Sequence, residues 1–191
     1  MTFFTLTLPD TLKLTDEQFF ELCQNNRDYQ IERTASGELL IMPPTGSDTG
    51  RRNFELIVQL GLWNKSHNLG VAFDSSTGFK LPNGADRSPD ASWVKKERWE
   101  ALTPEQQARF APLCPDFVVE LCSPSDSIEK GRAKMREYIE NGALLGWMLD
   151  RKNQQVEIYR SNTEVEILQS PTTLSGEDVL PGFVLNLKDI L

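Results

Sequence analysis

Three residue positions carry the chemistry this chain can do: Asp90, Glu120 and Lys134. Glu120 stands inside the apolar run Phe117-Val118-Val119-Glu120-Leu121-Cys122. In a strand, alternation sets Val118, Glu120 and Cys122 on one face. A carboxylate there is costly to bury unless a cation or a hydrogen-bond donor compensates it. An edge-strand glutamate facing solvent, or a buried ion pair, accounts for Glu120 taken alone. Asp90 opens a strand in Ser88-Pro89-Asp90-Ala91-Ser92-Trp93-Val94. Pro-Asp is also a common turn dipeptide. Pro115-Asp116, which precedes Glu120 on its own strand, serves as the internal comparison and reads as such a turn.

Lys134 falls in a helix predicted over Ile128 to Asn141, close to the apolar stripe of Met135, Tyr138 and Ile139. Lys130 shares its face, four positions earlier. A solvated lysine with its stem along the apolar surface is the ordinary state of such a residue. The combination is more specific than its parts. Two carboxylates hold a hard divalent cation through oxygen. The cation polarises a phosphate and lowers the pKa of a bound water. An ammonium group beside it steadies that water or the developing charge. The Leu121 carbonyl is a candidate further oxygen ligand. The combination suits phosphodiester hydrolysis.

Bulk composition removes several other mechanisms. The chain has 191 residues, which suits one α/β domain spanning 1–191, with no linker, repeat or low-complexity tract. There is one histidine, His67, so a multi-histidine zinc site and a two-histidine phosphodiesterase are excluded. His67 ends an amphipathic segment and reads as a helix C-terminal residue. Cys23, Cys114 and Cys122 form no C-x-x-C pair and fit a reducing cytoplasm. No apolar run approaches the roughly 20 residues that cross a bilayer. Met1 to Leu6 lacks a basic stretch and a cleavage site, so no signal peptide is expected. The net charge of −8 argues against a protein coated in nucleic acid. A local basic patch and a bound cation reverse the field at one site, so a nuclease stays open.

These elements must position the three residues. Thr15-Asp16-Glu17-Gln18 predicts a capping box and a helix to about Cys23. Tyr29–Arg33 and Glu38–Met42 predict a hairpin around Ala35-Ser36-Gly37. Ser47 or Asp48 is expected to cap a longer helix, with Phe54, Ile57, Val58, Gly61 and Leu62 as its apolar positions. Strands are predicted at 71–74, 78–81, 91–94, 116–122, 145–150, 156–160 and 165–168, with a last one at 183–187. Thr103-Pro104 starts a short helix. Ser125 or Asp126 is expected to cap the Lys134 helix, and Gly142 to stop it.

The stretch Pro115-Asp116-Phe117-Val118-Val119-Glu120-Leu121-Cys122-Ser123-Pro124-Ser125-Asp126 resembles the signature of the Uma-two-type putative restriction endonuclease family. Lys134, Tyr138, Gly142 and Gly146-Trp147-Met148-Leu149-Asp150 follow at that family's spacing. Tyr29–Arg33, Gly37-Glu38-Leu39, Met42-Pro43-Pro44 and Ser88-Pro89-Asp90 also match. The resemblance implies the PD-(D/E)xK superfamily: a restriction-endonuclease-like core, with a central mixed sheet flanked by helices and an N-terminal helix and hairpin. It implies Mg²⁺ or Mn²⁺, Asp90 and Glu120 as metal ligands, and Lys134 as the catalytic lysine. Cys122 stands where the superfamily's parent pattern has lysine, so the resemblance implies that the lysine has moved to the helix. Family members often carry a histidine near the start of the long helix. This chain reads Arg51-Arg52-Asn53-Phe54-Glu55 there, leaving Glu55 as a lesser site candidate. Glu32 matches a recurrent family position, and a hairpin ion pair is its simpler reading.

The leading function is a DNA endonuclease of the cytoplasm, acting as a homodimer because duplex cleavage needs two sites. The alternative is a nuclease-fold protein used for binding or assembly, which the acidic pI of 4.8 favours. A small-molecule hydrolase finds no Gly-rich phosphate loop and no Gly-x-Ser-x-Gly to support it.

Overall fold

A computed structural model describes residues 4–123 and 126–191. Its core is a six-stranded mixed sheet built from β4 (Gly70–Asp74), β7 (Ala91–Lys95), β8 (Phe117–Cys122), β9 (Leu145–Asp150), β10 (Gln155–Arg160) and β11 (Glu166–Gln169), in the order β11-β10-β9-β8-β7-β4. Only β8 and β9 are parallel among these neighbours. Every residue of both is buried. Parallel strands are covered on both faces, which is why these two read as apolar runs without a regular polar alternation. The crossover between them is α5 (Ile128–Glu140).

A second, antiparallel sheet contains the N-terminal strand β1 (Phe4–Leu6), the hairpin β2 (Gln30–Arg33) and β3 (Leu39–Met42), and the short β5 (Phe79–Lys80) and β6 (Asp86–Arg87). Its order is β1-β3-β2-β6-β5. The small ribbon β12 (Thr173–Ser175) and β13 (Val184–Asn186) completes the strands. The helices are α1 (Asp16–Asn25), α2 (Ser47–His67), α3 (Lys96–Glu100), α4 (Pro104–Gln107) and α5. Capping boxes open α1 at Thr15 and α4 at Thr103, whereas Gly46, and not Ser47 or Asp48, stands at the N-cap of α2. Gly142 follows α5 with φ +106°, a positive value that glycine adopts without strain at a helix stop.

The large sheet divides the core. On one face α2 packs Leu56, Leu60 and Trp63 over Ala91, Trp93, Phe117, Val119 and Leu121. On the other, α5 packs Met135 and Tyr138 over Val94, Val118, Cys122 and Met148. No helix among the described residues is long and apolar enough to cross a membrane.

The structure differs from expectation at several elements. The predicted apolar positions of α2 include Phe54 and Leu62, yet these are 68% and 65% exposed, and the buried stripe is Leu56, Leu60 and Trp63. The segment from Phe54 to Trp63 carries apolar side chains around most of its circumference, so helical periodicity fits two stripes. Packing on the sheet selects one. Asp126 does not cap α5: its Oδ2 accepts from Ser123 N at 2.7 Å, and Ser127 stands at the N-cap. Ser125 lies outside the described residues. The segment 78–81 forms only the two-residue β5. His67 closes α2 as expected, stacked on Trp63 with ring centroids 5.3 Å apart.

Candidate active site

Asp90 lies where the chain leaves the small sheet at β6 and enters the large one at β7. Pro89 fixes the backbone before it and donates no ladder hydrogen bond. The β7–β8 register pairs Ala91 with Val119, so one further step sets Asp90 across from Glu120. Asp90 Oδ2 accepts from the backbone N–H of Leu121 at 2.7 Å, which anchors the carboxylate to β8. Its Oδ1 accepts from Asn53 Nδ2 of α2 at 3.3 Å. Burial lifts the Asp90 carboxyl above its ordinary pKa, against the opposing pull of the Leu121 N–H and the Lys134 charge.

Glu120 shares a face with Val118 and Cys122, the α5 side. It is 1% exposed. Lys134 Nζ lies 2.9 Å from Oε1, and the Tyr138 hydroxyl donates to the same oxygen at 3.1 Å. These two partners sit four residues apart on α5 and so present from one helix face. Oε2 is buried and has no hydrogen-bond partner among the described residues. Burial, with the charges of Asp90 and Glu32 adding to it, raises the Glu120 pKa to about 8 despite Lys134.

Lys134 is 8% exposed, which is rare for a lysine and follows from its partners. Its ammonium bonds Glu32 Oε1 at 2.8 Å as well as Glu120, and reaches the Ser88 carbonyl at 3.4 Å. Burial opposes the charge, but Glu120 and Glu32 more than offset that, so its pKa moves up and the group stays cationic. Glu32, on β2, is held in turn by the Ser88 N–H at 2.9 Å and Arg87 at 3.1 Å. Arg87 also binds Glu137 of α5 at 2.6 Å. Burial acts against the Glu32 carboxylate, yet Lys134 and Arg87 outweigh it and its pKa is lowered.

The two sheets and two helices thus bring Asp90, Glu120, Lys134 and Glu32 together. Glu55 stays apart: it accepts from Gln59 Nε2 at 3.1 Å, one turn along α2. Asp116, the comparison residue, is structural. It accepts from the Lys95 N–H at 2.8 Å and pairs with Arg98 at 2.9 Å. Sequence reasoning missed Arg87 and Asn53. Arg87 stands three residues before Asp90 in a stretch without visible periodicity, so nothing local marked it. Tyr138 was visible only as part of an apolar stripe.

Solvent reaches the group from two sides. A cleft of about 440 Å³ is lined by Glu32, Arg87, Lys130, Lys134 and Glu137. Another of about 360 Å³ is lined by Asp90, Asn53, Pro43, Pro44 and Tyr29. Glu120 lies closed off between them.

These residues suit a hard divalent cation. A buried carboxylate oxygen without a partner is a costly arrangement, and a cation facing Glu120 Oε2 and Asp90 would remove the cost. Among the described residues no three His, Cys, Asp or Glu side chains group as a metal site, so such a cation would need other oxygens as well.

The family described as "Uma2: Putative restriction endonuclease" matches residues 16–188. The fold is similar to a crystal structure described as "a putative nuclease belonging to DUF820 from Anabaena variabilis". The TM-score is 0.75 at 20% identity, over 93% of this chain and 97% of that one. No curated protein matches.

Proposed function

This chain belongs to the Uma2 family, and from that premise we propose that it is an endonuclease hydrolysing DNA phosphodiester bonds with Mg²⁺ or Mn²⁺. The observation that carries the reading is that Lys134 bonds Glu120 Oε1 and Asp90 stands across from Glu120 in the strand register, while Glu120 Oε2 is buried without a partner among the described residues. Asp90 and Glu120 would hold the cation, with the Leu121 carbonyl as a further candidate ligand. When bound, the cation supplies Lewis-acid activation of water and phosphate.

The chain's own residues do the rest. Asp90 is oriented by the Leu121 N–H, so one of its oxygens is fixed and the other faces Asn53. Lys134 stays charged and would steady the attacking water or the phosphate's developing charge. Glu32 holds that ammonium from the far side, and Arg87 holds Glu32. Glu32 is therefore a positioning residue. Asp90 lines one of the two clefts and Lys134 the other, with Glu120 sealed between them, so DNA would approach along the surface that joins the two clefts. Cleavage of both strands calls for two copies, and a cytoplasmic homodimer is the form we propose.

A second reading is a nuclease-fold binding or assembly module. It is favoured by Lys134 being bonded directly to Glu120, which closes the ammonium into an ion network. A plasmid-nicking assay with Mg²⁺ and with Mn²⁺, comparing wild type, Glu120→Ala and Lys134→Ala, separates the two. Cation-dependent nicking by wild type and its loss in both variants is expected. Absence of nicking in all three favours the binding module.

A further inference from the structure

We propose that Asn53 is a third protein ligand, through its side-chain oxygen, of the divalent cation held by Asp90 and Glu120. The inference rests on the metal reading above and adds a residue to it. Among the described residues, Asn53 Oδ1 is buried without a hydrogen-bond partner, like Glu120 Oε2. A buried oxygen left unpaired is costly, so two such atoms beside Asp90 call for an explanation. Asn53 touches Asp90 through a 3.3 Å hydrogen bond, at the long end for an amide donor. Glu120 stands across from Asp90 in the strand register.

A half-turn of the Asn53 amide exchanges its nitrogen and oxygen with little change of shape. With no cation, the NH₂ group faces Asp90 and the oxygen has no donor. With a cation between the carboxylates, the turned amide offers a hard oxygen, the donor type that Mg²⁺ and Mn²⁺ take. Charge supports the choice. Asp90 and Glu120 already balance a divalent ion, and no third acidic side chain joins them among the described residues. A neutral third ligand completes the set without leaving excess negative charge buried. The position is rigid: one and two turns on, Leu56 and Leu60 anchor α2 to the sheet, both fully buried.

The test is Mn²⁺ binding, measured by calorimetry and by the loss of the free-ion electron paramagnetic signal. Wild type, Asn53→Ala, Asn53→Ser and Glu120→Gln are compared, with melting curves in EDTA to establish folding. Wild type is expected to bind. Glu120→Gln should weaken binding by roughly 100-fold, and Asn53→Ala by about tenfold, the scale seen when a supporting group is removed from a metal site. Asn53→Ser, whose hydroxyl is too short to replace the amide, is read the same way should Asn53→Ala fail to fold. If a folded Asn53 variant binds as tightly as wild type while Glu120→Gln does not, the Asn53 assignment is overturned and the two-carboxylate reading stands. If wild type binds no Mn²⁺ at millimolar concentration, both fall.

Discussion

Among the described residues, the buried ion networks around Asp86 and around Glu120 differ in one respect. Around Asp86, Arg33 Nε bonds Oδ2 at 2.7 Å while its other nitrogens bond the Leu14 carbonyl and Asp16. Lys80 joins Asp16 and the Gly84 carbonyl. None of these side chains has a buried atom without a partner among the described residues. Around Glu120, the charged groups of Lys134, Glu32 and Arg87 link into one chain, and one Glu120 carboxylate oxygen remains unpartnered. Burial raises the pKa of Asp86 just as it raises that of Asp90, so a perturbed carboxyl does not tell the two apart. Unfilled coordination does. The closed network fixes the small sheet to α1, whereas the open one leaves a buried carboxylate oxygen without a partner among the described residues.

The comparison breaks most sharply at Glu120. Glu120→Gln keeps the shape and is expected to cut cation-dependent DNA nicking by about 10³-fold or more, since several kcal/mol of metal assistance goes with it. Supercoiled-plasmid kinetics check this, and retained nicking would show that the open oxygen is not where the cation sits. Lys134→Met should lower the same rate by roughly 10²–10³-fold, the loss seen when one stabilising donor is removed. Arg33→Met in the closed network predicts the opposite pattern. It removes the nearer partner of Asp86, leaving Lys80 at 3.6 Å, and should destabilise the fold by up to about 3–5 kcal/mol, as for other broken buried pairs, with Mn²⁺ affinity of the folded fraction unchanged. Urea unfolding combined with Mn²⁺ titration measures both.

The smaller effects sharpen the contrast. Glu120 is a carboxyl whose folded pKa of about 8 lies above its ordinary value of 4.5. Its contribution to stability is therefore fully present below pH 4.5 and is lost as pH rises through 8. The amide introduced by Glu120→Gln does not ionise. In EDTA, the Tm advantage of Glu120→Gln over wild type should grow between about pH 5 and pH 9, because wild type loses stability as Glu120 ionises and the amide does not. An advantage that stays flat over that range would place the Glu120 pKa outside it. Glu32→Gln should lower kcat about tenfold through a less firmly held Lys134, and leave Mn²⁺ affinity close to wild type. An equal fall in Mn²⁺ affinity would make Glu32 a ligand and not a positioning residue.

Much of the frame was legible in the residues themselves. The capping box at Thr15, the helix start at Thr103, the hairpin around Gly37 and the apolar strands at Phe117 and Leu145 follow from local dihedral preferences and from burial on both sheet faces. Strand alternation alone put Glu120 on one side with Val118 and Cys122. Which stripe of α2 would be buried was not local. Phe54 and Leu56 are both apolar residues that a helix accepts, and only the sheet they meet decides between them. The partners of Lys134 were equally out of reach, because Glu32 lies 102 positions away and nothing near either residue encodes the pairing. Residue types and their periods set what each segment is and which way its side chains alternate. Tertiary packing chose which charges share one buried volume, because that depends on surfaces that exist only once the two sheets and the helices are assembled.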